Sequence, residues 1–134
     1  MILRQIIISG ISFFIHKPAK IYNYLYNDFQ LRRAGVKHGK HMQINGKLHI
    51  HAGSGIEIGD YFMANSGLKY NATSGGGESY IAVGANGRLI IGHHVGISNL
   101  YLTASELIEI GDYTMIGSNC MIADTDFHSV DEAA

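Results

Sequence analysis

From Ile110 an aliphatic residue returns every six positions: Ile110-Gly-Asp-Tyr-Thr-Met, Ile116-Gly-Ser-Asn-Cys-Met, then Ile122-Ala-Asp-Thr-Asp-Phe, followed directly by His128. A period of six fits neither an α-helix, whose apolar positions recur every three or four residues, nor a flat strand pair, whose side chains alternate. It fits a β-solenoid, in which each repeat covers one side of a coil and stacking buries the aliphatic row.

The same grammar runs upstream. Ile44, Ile50 and Ile56 are six apart, Ile58 is followed six on by Ala64, and Ile91 by Ile97. The phrase Ile-Gly-Asp/His occurs at 58–60, 91–93 and 110–112. Glycine after the inward aliphatic suits a chain that turns corners repeatedly, where a Cβ disfavours the required conformations. Ile91 to Ile110 is 19 residues, three hexads and one more, which places a one-residue bulge near Thr103, where side chains would be re-aimed.

A chain of 134 residues with 17 glycines, one proline and prominent isoleucine reads as a mostly β fold. We divide it into an N-terminal helical and apolar segment, 1–40, and a solenoid domain, 41–134. The net charge of −1 provides no overall basic field for nucleic acid. The single Cys120 excludes an intramolecular disulfide, agrees with a reducing, cytoplasmic setting, and by its place in a hexad belongs to a coil wall.

The run from Ile6 to Ile15 is apolar apart from Ser9, Gly10 and Ser12, and falls short of the roughly 20 residues needed to cross a bilayer. It predicts a helix packed on the solenoid end or lying in a membrane interface, so that residues 1–17 are candidates for peripheral contact with the inner membrane face. After Pro18 the four-residue recurrence of Ile21, Leu25 and Phe29, with Gly35 as a stop, predicts an amphipathic helix over about 19–34. Tyr22, Tyr24 and Tyr26 read as packing and interfacial anchors before a sugar platform.

His49 and His51 share one side of a strand, opposite Leu48 and Ile50, and so point outward. No third ligand can be named for a zinc site there, and we expect no metal. Asn71–Gly87, with Ser74-Gly-Gly-Gly77 and Gly84-Ala-Asn-Gly87, lacks the lysine of a phosphate cradle and reads as a loop leaving the coil, with a hairpin around Tyr80–Val83.

The Ile-Gly hexads running into Ile122-Ala-Asp-Thr-Asp-Phe-His128-Ser-Val-Asp131 resemble the hexapeptide-repeat acyltransferases, most nearly the sugar O-acetyltransferases of the maltose, galactoside and surface-polysaccharide type. Ile91-Gly-His-His-Val-Gly-Ile-Ser-Asn99 is similar to an earlier coil of that family which brings a polar side chain beside the catalytic histidine. The likeness spans about Leu48 to Asp131. It implies an all-β, left-handed parallel β-helix of triangular section with an N-terminal helix, and a homotrimer whose sites lie between subunits. It further implies acetyl-CoA as acyl donor, a sugar or glycan hydroxyl as acceptor, and His128 as general base. Ser98 and Asn99 stand where the family's helper residue falls; they would bind the acceptor or polarise the oxyanion, with a turn of the coil as their other reading. Asp124 and Asp126 would orient the ring or hold sugar hydroxyls. Family members continue beyond this histidine with further coils that hold coenzyme A, so the chain is expected to correspond to the first part of such a protein. The alternative is a non-catalytic β-helix for assembly or carbohydrate binding. A solenoid metalloenzyme resembling the γ-type carbonic anhydrases would need a ligand triad that the sequence does not display.

Overall fold

The computed structural model describes residues 2–72, 75 and 77–127, with side chains from Pro18 onward. Twelve short strands wind as four stacked coils. Coil 1 holds β1 (Lys37–His38), β2 (Gln43–Asn45) and β3 (Leu48–His51); coil 2 holds β4 (Ile56–Ile58), β5 (Met63–Asn65) and β6 (Ser79–Val83). Coil 3 holds β7 (Arg88–Ile91), β8 (Gly96–Ser98) and β9 (Tyr101–Ala104), and coil 4 holds β10 (Leu107–Ile110), β11 (Met115–Ile116) and β12 (Met121–Ala123). Each coil gives one strand to each of three parallel sheets, ordered β1-β4-β7-β10, β2-β5-β8-β11 and β3-β6-β9-β12. The six-residue period thus has a plain cause. Ile44, Ile50 and Ile56 are the inward residues of three successive faces.

Register makes columns of these inward residues: Ile58, Ile91 and Ile110 in the first sheet, Ala64, Ile97 and Ile116 in the second, and Ile50, Ile81, Leu102 and Ile122 in the third. Phe62, Leu100 and Val95 fill the axis beside them, all essentially inaccessible. Cys120 packs at the margin of this core, in the coil wall where its hexad placed it.

No bulge occurs at Thr103, which pairs in unbroken register with Ala82 on one side and Ala123 on the other. The surplus residue is the sum of two changes. The step from inward Ile97 to inward Leu102 is one residue short of a hexad, and the step from Leu102 to Ile110 is two residues long, a widening that also separates Ile50 from Ile58. The loop reading of Asn71–Gly87 needs correction as well. The excursion lies between β5 and β6, over 66–78, while Tyr80–Val83 belongs to β6, sandwiched between β3 and β9 rather than folded as a hairpin.

At 58–60 and 91–93 the glycine of the Ile-Gly-Asp/His phrase is explained by close approach, not by left-handed conformations, as is Gly39 in the same column of coil 1; Gly111 of the last phrase has nothing within 4 Å. A Cβ on Gly39 would sit 2.1 Å from Asp60 Oδ1, and one on Gly92 would sit 2.2 Å from Asp112 Oδ1 and 2.8 Å from Asp112 N. The space is taken because the residue after each glycine reaches back one coil. The Lys40 N–H donates to Asp60 Oδ1 (2.7 Å), the Asp60 N–H to His93 Nδ1 (2.9 Å) and the His93 N–H to Asp112 Oδ1 (2.7 Å). These side chains satisfy corner amides that no strand ladder reaches.

The next corner residue in each coil does adopt the left-handed region: His41, Tyr61, His94 and Tyr113 have φ of 58°, 58°, 55° and 61°. Their rings stack in one column with centroids 4.7, 4.6 and 4.8 Å apart. Each such conformation costs a non-glycine residue about 1–2 kcal/mol, and each stacked contact returns about 0.5–1.5 kcal/mol.

One helix, α1 (Ile2–Arg33), precedes the coils and continues through Pro18, where the sequence suggested a boundary. Proline removes one N–H bond and disturbs the preceding turn without ending the helix. Gly35, with φ of 59°, closes it: the Val36 N–H donates to Leu31 O and the Gly35 N–H to Arg32 O, while Leu31 and Val36 pack on the core edge. The apolar line Ile21, Leu25, Phe29 would ordinarily face protein. It does not. Those residues are exposed, and α1 meets coil 1 through the side bearing buried Asn27.

Candidate functional site

Asn27 works as a substitute strand edge. Its Nδ2 donates to Gly46 O (2.9 Å) and its Oδ1 accepts from the Leu48 N–H (2.9 Å), so a side chain satisfies backbone at the rim of coil 1. Arg33 donates to Ile50 O (2.6 Å) further along. Between them, His49 has Nδ1 2.7 Å from the Tyr26 hydroxyl and Nε2 2.5 Å from Glu78. His49 also begins an aromatic stack with Tyr80 (4.4 Å) and Tyr101 (5.3 Å) on the outer face of the third sheet. Both ring nitrogens being engaged, His49 fastens the helix to coil 1. Among the described residues no three His, Cys, Asp or Glu side chains converge as a metal site.

The polar residues expected around His128 separate into two corners. Ser98 ends β8, partly exposed, and Asn99 turns the corner into β9 with φ of 42° and no solvent exposure. The Asn99 N–H donates to Asn65 O, its own carbonyl accepts from the Asn119 N–H, and its Oδ1 accepts from the Gly67 N–H at 2.9 Å. Asn99 thus turns the coil and is sealed under the 66–78 excursion. That excursion spans coil 3 and reaches coil 4, where Asn71 donates to the Ser118 hydroxyl.

Asp124 stands at the other end of the third sheet, one strand length away along β9. Its carboxylate gathers three successive amides of the preceding coil: Oδ1 accepts from the Ser105 N–H (2.5 Å), and Oδ2 from Glu106 (2.9 Å) and Leu107 (2.8 Å). These bonds hold its pKa below the ordinary 3.8, the Ser105 amide contributing most and partial desolvation opposing it. Asp124 thus closes the widened corner between β9 and β10 and anchors the chain just before His128. Asp126 is exposed beyond it, and Phe127 is exposed with φ of 59°. His128 lies outside the described residues.

A concavity lies elsewhere. A groove of about 340 Å³ runs between α1 and coil 1, bordered by Asn23, Tyr24, His38, Asn45 and, from the excursion, Tyr70. Sequence reasoning touched it only through the tyrosines of α1. Nothing in the hexads marks it, because it exists only once the helix is laid across the first coil.

No helix among the described residues is long and apolar enough to cross a membrane. Comparison with known protein families, with characterised proteins and with solved structures returned no match.

Proposed function

We propose that the protein is an acetyl-CoA-dependent O-acetyltransferase acting on a sugar or glycan hydroxyl, built on a left-handed β-helix and assembled as a homotrimer. The observation that carries the reading is the direct passage of the stacked hexads, through the Asp124 anchor, into Asp-Phe-His128. A histidine four residues beyond a fixed corner can be presented repeatedly in one place. Trimer formation is supported by the outer sheet faces, where Met63, Tyr101, Met115 and Met121 are between 41 and 76 % exposed.

In the mechanism, neutral His128 takes the proton of the acceptor hydroxyl as its oxygen forms a bond to the acyl carbon. The carbon–sulfur bond then breaks, and the imidazolium returns the proton to the leaving thiolate. Histidine is the side chain whose ordinary titration range suits accepting and returning a proton near neutral pH. Ser98, partly exposed at its corner, is the candidate contact for the acceptor. Asp124 acts through position, since its oxygens are occupied by backbone amides. Asp126 is exposed and available to sugar hydroxyls.

The test is thiol release from acetyl-CoA by the full-length protein in the presence of a panel of sugars. His128→Ala should abolish release while sedimentation still reports the same assembly; turnover retained by that variant would falsify the assignment. A second reading draws on the groove beside Tyr24 and Tyr70, a mixed polar and aromatic lining suited to a saccharide. Glycan binding without turnover, lost on Tyr70→Ala, would favour a non-catalytic carbohydrate-binding or assembly module.

A further inference from the structure

Helix α1 is docked inside out. Against coil 1 it sets Asn27, Tyr26 and Leu31, and toward solvent it turns Ile21, Leu25 and Phe29, exposed 59, 59 and 60 %. At 3.6 residues per turn these three form a line nearly opposite Asn27. A helix that hydrogen-bonds its asparagine inward and leaves aliphatic and aromatic side chains outside has its apolar face free for something beyond the subunit.

Charge identifies that partner. Residues 1–34 carry Arg4, Lys17, Lys20, Arg32 and Arg33 against Asp28 alone, a net of +4 in a chain whose total is −1. The remainder of the chain is therefore at −5. Tyr22 and Tyr24, 57 and 70 % exposed, flank the apolar line on its two sides, and the Lys47 ammonium sits 4.8 Å over the Tyr22 ring. An apolar line bordered by tyrosines and cations is the composition of a helix lying in a lipid interface.

We propose that α1 lies flat on an anionic lipid surface. Ile21, Leu25 and Phe29 enter to the boundary of headgroups and acyl chains, about 5–10 Å deep, and Lys20 and Arg32 meet lipid phosphates. The solenoid hangs from this helix by the Asn27, Arg33 and Tyr26–His49 contacts. A second copy of α1 is the competing occupant, and it would bring two segments of like charge together. The lipid contact holds whether or not the solenoid transfers acyl groups.

The experiment is co-sedimentation of the full chain with vesicles of phosphatidylglycerol and phosphatidylcholine in equal parts, against phosphatidylcholine alone. Binding should require the anionic lipid, weaken with salt, and fall about tenfold or more in Leu25→Glu/Phe29→Glu, with circular dichroism reporting the intact fold. Phe29→Trp, in a chain with no tryptophan of its own, gives an independent reading if the double variant misfolds: its emission should shift to the blue on anionic vesicles. Wild-type chain left in the supernatant, equal binding by a folded double variant, or an unshifted tryptophan each overturns the proposal. So does a double variant that dissociates a self-associated form in sedimentation while no form binds vesicles.

Discussion

Coil 1 meets α1 through hydrogen bonds to its own strand backbone, whereas coil 4 offers β10, β11 and β12 with no described strand on their far side. The difference appears in equivalent residues. Leu89 and Ile91 of coil 3 are 0 and 2 % exposed, while their partners Ile108 and Ile110 in coil 4 are 9 and 8 %. The same hexad therefore specifies full burial only where a neighbouring coil exists. A repeat in this molecule is half a structure, completed by the next one.

Paired substitutions can break that comparison, and the largest effect is expected in the core. Ile81 and Ile122 share a column, but Ile81 is enclosed on both sides. Ile81→Ala should cost about 2–5 kcal/mol, and Ile122→Ala clearly less, as read from urea unfolding midpoints. Equal losses would mean that coil 4 is as well covered as coil 2.

Next come the glycines. Gly92→Ala drives a methyl into Asp112 and should cost about 1–3 kcal/mol, whereas Gly111, in the same column with nothing within 4 Å, should accept alanine with a change of about 0.5 kcal/mol or less. A severe Gly111→Ala effect would show that something stacks on coil 4.

At the other end, Asn27→Ala strands Gly46 O and the Leu48 N–H, about 1–3 kcal/mol for each buried group left unpaired. Limited proteolysis should then release α1 before the coils unfold. Simultaneous loss of both would make the helix part of the cooperative unit instead of an attachment.

The smallest expected effect is electrostatic. Because the folded pKa of Asp124 lies below 3.8, its stabilisation is fully present above that value and is lost as pH falls through the lower, folded value. The unfolding midpoint of the wild type should therefore fall in this acid range by more than that of Asp124→Asn. Identical pH profiles would remove Asp124 as the corner's anchor.

The coil was legible because burial on three faces forces one inward residue per hexad, and Ile44, Ile50 and Ile56 already record it. Columns, however, depend on pairs far apart in the chain. The phrase Ile-Gly-Asp pointed to a turn but could not announce that its aspartate reaches a backbone amide 20 residues earlier, at Lys40. Spacing alone also merged a shortened corner and a widened one into a single bulge. For Ser98 the spacing left two readings open, acceptor contact or a turn of the coil, and only the fold shows it partly exposed at the end of β8. Asn99 was undecidable in sequence, since only the 66–78 excursion buries it. The line Ile21, Leu25, Phe29 was visible too, yet periodicity gives the existence of an apolar face and says nothing about where it points.

The excursion itself has a consequence for how such a chain can change. Coils 1 and 2 pair at Gln43 with Met63 before it and at Leu48 with Ser79 after it, so the ladders resume as though the intervening residues were absent. A segment grafted there with Ser66 and Gly67 kept, whose bonds to Lys47, Ser79 and Asn99 hold the corner, would cost little more than closing a loop, each doubling of length adding roughly 0.6 kcal/mol. That corner is a socket. New specificity can be written into it while every rung of the scaffold stays in place.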